Sequence, residues 1–577
     1  MKQTKETKKL TSFLSMLLVV TLVLTMSIAG LTLTVSAADT APTDAWSTYA
    51  ADDFEGGTGT EESPYLIATE EQLAKLSVDV AGGEAYKGKW FKLMNDLDLS
   101  AHRWNPIGQY KWESNGDTTH NNFSGNFDGN GKTISGIYVD ETTDGFSGGL
   151  FGCITNSASA SDSILQIEIR DLTVEDAVIY GNEEGLFQGY NGILGSYVSA
   201  GIDRNILIEN VHVSGSLNIT CIYGNYSVGG MVGYADNVTF TNCTVDDIYQ
   251  RAATNSGGFV GIDDNCTYTD CLARGTVYGS WAMGGFVGYT TLQDSTDGST
   301  HSTFTRCVAD VDVISNDWNV GGFVGLSVGG VFTDCAALGD VESQVTGWEP
   351  RVGGFAGHLE PYYDSYNNPP TLGPYPSVLT NCYFGGKVRS AHATIQPSAL
   401  VASVTEDATI TGCSYDAEKN PDMNVFSQAN GTAVASFTAT AFTTDEAMNI
   451  VCDSLYGHHQ YVGSTCKVCG LEQVYVNADG YWVIDGTVTN VQAAGEKGDK
   501  GDTGEQGIQG EKGDTGAQGI QGEKGDTGTA GSDGKDGVDG KDGADGLTVA
   551  ATVIGSTALA SNIALIAYTL IKKKRLF

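Results

Sequence analysis

Two histidines and three cysteines lie close together in one stretch of this 577-residue chain. Cys452 precedes His458 and His459, and Cys466 and Cys469 then form a Cys-x-x-Cys pair. Three thiolates and one imidazole make the ligand set that tetrahedral zinc prefers. The spacing therefore predicts a zinc site. A local disulfide or free thiols are the alternative.

Paired acidic residues are the second group with possible chemistry. Carboxylate oxygens are calcium ligands, and clustered acids on one wall could cut a polysaccharide by acid–base catalysis. Paired acids at turns are more often solvated, so we predict no catalytic site among them. The candidates are Asp246, Asp247, Asp263, Asp264, Asp310 and Asp312.

An insertion after Gly357 is the best candidate for a binding patch. It reads "HLEPYYDSYNNPPTLGPYPSV" and is rich in proline. Proline limits the freedom of the loop, and tyrosine provides amphipathic contact area. The patch would contact a glycan or a host protein. The alternative is a loop that only shields the fold. Its four tyrosines are Tyr362, Tyr363, Tyr366 and Tyr375.

These groups must be positioned by a repeat that is centred on cysteine. Cys occupies one slot at 243, 271, 307, 335, 382 and 413, and Ile137, Leu172 and Val211 fill that slot in three earlier repeats. The residue three positions earlier is aromatic or aliphatic. A flat strand alternates its faces with period two, so two apolar residues three apart require a bend.

The residue before the slot predicts that bend. Eight of nine such residues are Gly, Asn or Asp, which adopt the left-handed conformation at low cost. Arg306 is the exception, and we expect it to weaken its coil. The nine residues are Gly136, Asp171, Asn210, Asn242, Asp270, Arg306, Asp334, Asn381 and Gly412.

Each repeat is therefore predicted to form one coil of a parallel β-helix. In each coil a Gly-Gly-Phe-Val-Gly block, as at 321–325, would give one wall. The Phe-Thr segment before the cysteine, as at 304–305, would give a second, and the residues from the cysteine onward a third. Such a unit buries its apolar face only by stacking on its neighbours. The cysteines would then form an inward column of thiols. Disulfides are the alternative, since they persist outside the cell.

This frame resembles the GLUG repeats of bacterial surface proteins of the Gram-positive type. The Gly-Gly-Phe-Val-Gly blocks carry the resemblance, together with "YKGKWFKLMNDLDLS" and "FSGNFDGNGKTISGIYV" upstream. It covers about residues 54–415 and implies architecture, not activity. The Cys/His stretch also resembles small His-x-Tyr…Cys-x-x-Cys-Gly elements of bacterial surface proteins, but Gly457 stands where their first Cys is expected.

Two elements flank the repeats. "TEEQLAKLSVDV" predicts an amphipathic helix with a capping box at Thr69 and Gln72, which would cover the first coil. "VYVNADGYWVIDGTVTNVQA" predicts a β-hairpin around Asp479 and Gly480. It resembles short β elements that precede collagen-like repeats.

Glycine recurs at every third position from Gly495 to Gly546, which makes seventeen full triplets. This strict period predicts a collagen-like triple helix and hence a homotrimer. The segment contains no proline, so charged triplets must stabilise it. At about 3 Å per residue the stalk would extend roughly 150 Å.

The two ends of the chain predict secretion and anchoring. Lysines precede an apolar run that ends in "VSAAD", as in a secretory signal peptide. Residues 547–571 are uncharged and long enough to span a bilayer, and four basic residues follow. By the positive-inside rule the C-terminus is cytoplasmic and the rest of the chain is extracellular.

The formal net charge of -39 provides no basic footprint for nucleic acid. We therefore expect a non-enzymatic surface protein, an adhesin that binds a host protein or glycan, with a β-helix surface polysaccharide lyase or glycoside hydrolase as the alternative. The expected organisation is a signal peptide (1–38), a cap region (39–90), a parallel β-helix (91–415), a linker with the zinc element (416–473), a hairpin (474–494), a stalk (495–546), a transmembrane helix (547–571) and a basic tail (572–577).

Overall fold

The structure is a computed structural model, which divides into two units, residues 1–496 and 497–577. All described residues belong to the first unit. The predicted signal peptide, stalk and transmembrane segment lie outside them. The description covers residues 41–112, 118–145, 148–156, 166–181, 189–201, 204–219, 226–252, 254–291, 301–361, 375–404, 408–429 and 436–442, and strand positions 461–462, 465–466, 474–476, 481–484 and 487–492.

Short strands of the first unit stack in parallel and form a solenoid, which confirms the predicted β-helix. Three sheets make its walls, with 21, nine and six strands, and every strand pair within them is parallel. One complete coil consists of Val260–Asp264, Thr267–Thr269, Leu272–Gly279 and Ala282–Gly284. Each strand pairs with its equivalent in the next coil, so apolar residues form continuous inward columns.

The 21-stranded sheet contains both the Phe-Thr strands and the strands that follow the cysteines. Its strands are Tyr65–Ile67, Trp90–Leu93, Leu97–Asp98, Asn126–Ser135, Tyr138–Asp140, Gln166–Gly181, Asn205–Ile219, Val238–Thr241, Thr244–Arg251, Thr267–Thr269, Leu272–Gly279, Thr303–Thr305, Val308–Ser315, Val331–Thr333, Ala336–Ala337, Val341–Ser343, Val378–Thr380, Tyr383–Phe384, Val388–Ser390, Thr409–Asp416 and Ser436–Phe442.

The nine-stranded and six-stranded sheets form the other walls. The nine-stranded sheet contains Phe151–Asn156, Gly195–Ala200, Val232–Asp236, Val260–Asp264, Val287–Thr291, Val324–Val328, Ala356–Glu360, Val401–Val404 and Phe426–Ala429. The six-stranded sheet contains Gly189–Asn191, Tyr226–Gly229, Asn255–Gly257, Ala282–Gly284, Asn319–Gly321 and Arg351–Gly353.

The Gly-Gly-Phe-Val-Gly block forms a corner, and the prediction that it makes a single wall was wrong. Gly257 ends a strand of the six-stranded sheet, and Val260 begins one of the nine-stranded sheet. A Cβ on Gly257 would lie 2.0 Å from the Val260 carbonyl oxygen, and one on Gly258 would lie 2.2 Å from the Gly285 oxygen. Glycine is therefore required because backbones approach closely at this corner.

The corner before each cysteine is left-handed, as predicted. All nine residues have positive φ, including Arg306 at 52°. Their side chains also form ladders along the stack: Asn242 Nδ2 donates to Asn210 Oδ1 at 2.8 Å. Arg306 donates from Nε and Nη2 to the two carboxylate oxygens of Asp270, at 2.7 and 2.8 Å. This fork of hydrogen bonds holds Arg306 in the column. That its coil is weaker than the others stays a prediction.

Replacing Asn242 by valine should destabilise the solenoid by about 2 kcal/mol, because a β-branched residue is costly at positive φ and the ladder bond is lost. Thr241→Val, one residue earlier on a regular strand, is the matched control and should cost much less. Thermal unfolding measures both. Equal losses of melting temperature would contradict the left-handed corner.

Two columns of stacked aromatic rings fill the core. Phe240, Tyr268, Phe304 and Phe332 stack at 4.9, 4.6 and 4.7 Å between ring centroids. A second column packs edge-on against the first, with centroids 5.4–6.0 Å apart. It consists of Phe259, Phe286, Phe323 and Phe355, which stack at 4.7, 4.9 and 4.9 Å.

The predicted N-terminal helix forms over Glu70–Ala81. The hydroxyl of Thr69 accepts a hydrogen bond from the Gln72 backbone N–H, as a capping box requires. Gln72 Oε1 accepts a hydrogen bond from the backbone N–H of Ala68 at 2.7 Å. The face with Leu73, Leu76 and Val80 is fully buried. Two short helices complete the set, a 3-10 helix over Trp46–Tyr49 and an α-helix over Glu141–Asp144.

The solenoid continues beyond residue 415, where the sequence predicted its end. Thr409–Asp416 pairs in parallel with Ser436–Phe442. The later coils lack the cysteine slot, so the pattern that marked the repeats misses them.

Downstream, the predicted hairpin at 474–494 has a third strand. Its antiparallel strands are Val474–Val476, Tyr481–Ile484 and Thr487–Gln492, and the remaining antiparallel pairs are Gln109–Trp112 with Thr118–Asn121 and Tyr461–Val462 with Thr465–Cys466.

Candidate functional site

The predicted zinc ligands Cys452, His458, His459 and Cys469 lie outside the described residues, and only the backbone of Cys466 falls within them. Their convergence therefore remains a prediction. Across the described part of the chain, no group of three or more His, Cys, Asp or Glu side chains is placed to hold a metal ion.

The predicted tyrosine patch is only partly described. Tyr362, Tyr363 and Tyr366 lie outside the described residues. Tyr375 is half-buried, and its ring packs against His301 with centroids 5.2 Å apart. The patch as a binding surface remains a prediction.

The cysteine column consists of buried free thiols, as predicted. The eight cysteines of the described residues between 153 and 413 are buried and unpaired. The Cys243 thiol donates to the Ile208 carbonyl and the Cys335 thiol to the Phe304 carbonyl, each in the preceding coil. Burial raises the pKa of these two thiols, so they are protonated and unreactive at neutral pH. The column is therefore part of the core.

The outward acids form ion pairs along one wall. Arg274 lies between Asp246 and Asp310, at 3.4 and 3.7 Å from their carboxylates. Asp312 is exposed and accepts from the backbone N–H of Asp340 at 2.8 Å. This arrangement is a charge ladder between coils.

Asp263 and Asp264 differ from the expected solvated pair, because both are buried, at 0% and 3% exposure. Asp263 is inside the solenoid, and neither of its carboxylate oxygens has a hydrogen-bond donor in good geometry. Burial, and then the neighbouring charge of Asp264, raise the pKa of Asp263, while the Ser302 hydroxyl acts in the opposite direction. Strand alternation turns residue 263 inward, which a pair of adjacent acids does not reveal.

Cys266 and Tyr268 lie close to this carboxyl group. Burial is the main cause that raises the pKa of both groups, and Asp263 adds to it. The Tyr268 hydroxyl has no hydrogen-bond partner, although its ring occupies a phenylalanine position in the stacked column. The three residues form a cluster of titratable groups in the interior. Because they are fully buried, a substrate could reach them only if the coil opened.

Glu141 is a titratable residue that the sequence analysis missed. Burial raises the pKa of its carboxyl to about 8, and the neighbouring Asn191 and Gly148 act in the opposite direction. Raised carboxyl pKa values occur at functional sites and in structural networks alike. The nearby Gly-x-Ser-x-Gly spacing at 145–149 follows a helix and precedes a strand, the reverse of a nucleophile elbow. Its Ser147 lies outside the described residues.

Four tyrosines form a cluster near the N-terminal coils. Tyr110 and Tyr197 stack at 5.0 Å between centroids, and Tyr197 and Tyr234 stack at 5.1 Å. Tyr190 lies 5.3 Å from Tyr110 and 5.0 Å from Tyr234. Burial raises the pKa of these hydroxyls. They come from three different sheets, which explains why sequence spacing did not find them.

The comparisons with known proteins match parts of the chain. Residues 493–551 match the model of the collagen triple helix repeat, 20 copies. The chain therefore contains collagen triple-helix repeats, in agreement with the predicted segment 495–546.

Two relatives are similar over short stretches. A protein of Evansella cellulosilytica with the provisional name Gly-rich membrane protein is 35% identical over 147 residues, which is 25% of this chain and 16% of the relative. Halomucin of Haloquadratum walsbyi is 30% identical over 180 residues, 31% of this chain and 2% of that protein. The chain thus spans less than one fifth of the length of either relative.

Among solved structures, the chain matches a Bacteroides ovatus protein with the provisional name immunoglobulin A1 protease. The match covers 76% of this chain and 98% of that one. The TM-score is 0.38 at 15% identity. No helix among the described residues is long and apolar enough to cross a membrane. The predicted anchor, 547–571, is outside them.

Proposed function

We propose that the chain is a non-enzymatic cell-surface protein that displays a β-helix head on a trimeric collagen-like stalk and acts as an adhesin. The unbroken Gly-x-y period of residues 495–546 carries the proposal. A collagen triple helix is a stiff spacer without a catalytic site. The solenoid described above provides a surface of stacked parallel strands.

The proposal also covers secretion, anchoring, bound ions and partners of the chain. Residues 1–38 act as a secretory signal, and residues 547–571 anchor the chain with its C-terminus in the cytoplasm. The head repeats are of the GLUG type and the source is a Gram-positive-type bacterium. Zinc is held by the Cys/His element, and calcium is a second ion, bound by acidic residues. The tyrosine-rich insertion contacts a host protein or glycan. Nucleic acid is not a partner.

The full chain should be a homotrimer whose stalk melts before the head. Only glycine fits where three chains meet, and without proline each chain loses more conformational freedom on ordering. Charged pairs between chains must offset this loss, and salt screens them. We expect a cooperative loss of triple-helix circular dichroism on heating, at a lower temperature in high salt.

Two variants make this test specific. Gly519→Ala should lower the stalk transition and leave the β-helix signal unchanged, whereas Gln518→Ala keeps the glycine period and should change it little. A purified full chain that sediments as a monomer in the cold would contradict the trimeric stalk.

A glycan panel tests the adhesin against the lyase or hydrolase. An adhesin returns its ligands uncleaved, and cleavage products would favour the enzyme.

A further inference from the structure

Three tryptophans are exposed at one corner of consecutive coils. Trp281, Trp318 and Trp348 have 39%, 48% and 49% of their surface accessible to solvent. Each precedes a strand of the six-stranded sheet by one to three residues. Large aromatic groups exposed at the same corner of successive coils are unusual on a protein surface and point to an interaction site.

The strand register aligns these residues along the solenoid axis. The backbone N–H of Asn319 donates to the Trp281 carbonyl at 2.7 Å, and the N–H of Arg351 donates to the Trp318 carbonyl at 2.7 Å. The backbones of Trp281 and Trp318 are therefore adjacent in the stack, at the parallel-strand spacing of about 4.8 Å, and Trp348 lies in the loop before Arg351 of the next coil. We call Trp281, Trp318 and Trp348 the tryptophan ridge.

The backbone of Trp281 has a conformation that costs free energy for a tryptophan. Its φ is 66°, in the left-handed region where a bulky side chain is strained. Glycine or asparagine would relieve this strain. A costly tryptophan at an exposed corner therefore points to a use for the indole itself.

Polar groups that could bind hydroxyls border the ridge. Burial raises the pKa of the Asp317 carboxyl, and the neighbouring Trp348 side chain acts in the opposite direction. Arg351 Nη1 donates to Asn319 Oδ1 at 3.2 Å. Tyr289 packs edge-on against Trp281 with centroids 5.9 Å apart and fixes its ring. Flat apolar faces with donors and acceptors at their edges match the alternation of C–H faces and hydroxyls on a sugar ring.

We infer that the tryptophan ridge binds a chain of neutral sugars whose rings stack on successive indoles. The inference rests on the proposed function and assigns its ligand class. The charge of the head supports a neutral ligand, since a chain with a formal charge of -39 repels acidic polysaccharides and nucleic acid. Base stacking on aromatic residues works together with a basic groove, whereas this ridge carries Asp317. The linear spacing of one indole per coil favours a repeating polymer over a globular partner.

The test measures binding of the purified full chain to immobilised oligosaccharides. The panel contains neutral gluco-, xylo- and manno-oligosaccharides, N-acetylglucosamine oligomers and uronate oligomers, with neutral lipid vesicles as a separate arm. We expect binding to a neutral oligosaccharide and quenching or shift of tryptophan fluorescence on saturation. Trp318→Ala should weaken this binding at least about tenfold, as expected for a stacked aromatic anchor.

Two further variants separate binding from folding. Trp281→Gly should weaken binding while it raises the melting temperature, because it removes both the indole and the strain. Tyr249→Ala removes an equally exposed aromatic ring, 56% accessible, from another wall and should leave binding unchanged. Binding to uronates or vesicles alone, no binding to any neutral oligosaccharide, or equal losses in Trp318→Ala and Tyr249→Ala would overturn the ridge as a sugar site.

Cell adhesion distinguishes the ridge from the proposed function. If no neutral oligosaccharide binds but the chain still adheres to cells, the ridge fails as the sugar site and the adhesin proposal stands. If the ridge binds neutral sugars but the chain does not hold cells, the inference stands and the adhesin proposal fails.

Discussion

Replacing Phe323 by alanine should lower the free energy of unfolding of the head by about 3–5 kcal/mol, since a buried phenyl ring is lost and a cavity remains. Phe323 is fully buried in the middle of its aromatic column. It stacks on Phe286 and Phe355 at 4.9 Å and meets Phe304 and Phe332 edge-on at 5.9 and 5.7 Å. Each of these contacts crosses from one coil to the next or between two walls.

The effect should exceed an ordinary core truncation because the solenoid is held together only by neighbouring coils. A cavity at Phe323 weakens the interfaces on both sides at once. Denaturant unfolding followed by circular dichroism measures the loss. Phe323→Leu keeps most of the volume and should cost less than half as much.

Tyr249→Ala, an exposed aromatic on the outer wall, is the control for general loss of aromatic area and should change stability by about 0.5 kcal/mol or less. If Phe323→Ala were as mild as this control, the stacked columns would not stabilise the head, and the register that places the phenylalanines one above another would be wrong.

The left-handed corners could be predicted because they depend on residue type alone. Asn, Asp and Gly tolerate positive φ, and their recurrence before one slot fixes both the turn and the period. Arg306 follows the same conformation without the local preference. Its partner Asp270 is 36 residues away. The fork between them depends on the register of two coils, so no short window of sequence could indicate it.

The interior and outer faces were less predictable for the same reason. Gly257 and Gly258 suggested one continuous wall, but close backbone contacts to other coils turn the chain there. The ridge residues Trp281 and Trp318 are 37 positions apart in the sequence. They become neighbours only through the strand pairing of their coils. The predicted zinc ligands and most of the tyrosine patch rest on local spacing alone.

Asp263 is the position where local pattern and three-dimensional environment conflict most. Its column along the nine-stranded sheet contains Ala235 before it and Thr290 after it. Thr290 satisfies its hydroxyl with Ser327 at 3.2 Å. Both oxygens of Asp263 have no such donor. An ionised carboxylate here is therefore costly, and the group gains stability by holding its proton.

Asp263→Asn should raise the free energy of unfolding by about 3 kcal/mol at pH 7, because the amide has the same shape and no charge to bury. The sign follows from the raised pKa of Asp263. A carboxyl that binds its proton more tightly when folded stabilises the head fully below its unfolded pKa of about 3.9. This stabilisation is lost as pH rises through the folded pKa.

The stability of the wild-type head should therefore fall with rising pH more steeply than that of Asp263→Asn, and the two curves should converge in acid. Asp52→Asn removes the same charge from an exposed segment and controls for the overall repulsion in this acidic chain. It should lie within about 0.5 kcal/mol of the wild type at every pH. Melting temperatures between pH 4 and pH 8 measure all three proteins. If Asp263→Asn followed the wild-type curve, the carboxyl would be ionised and paired in the folded state, and residue 263 would have to face a cation or solvent instead of the closed interior of the coil.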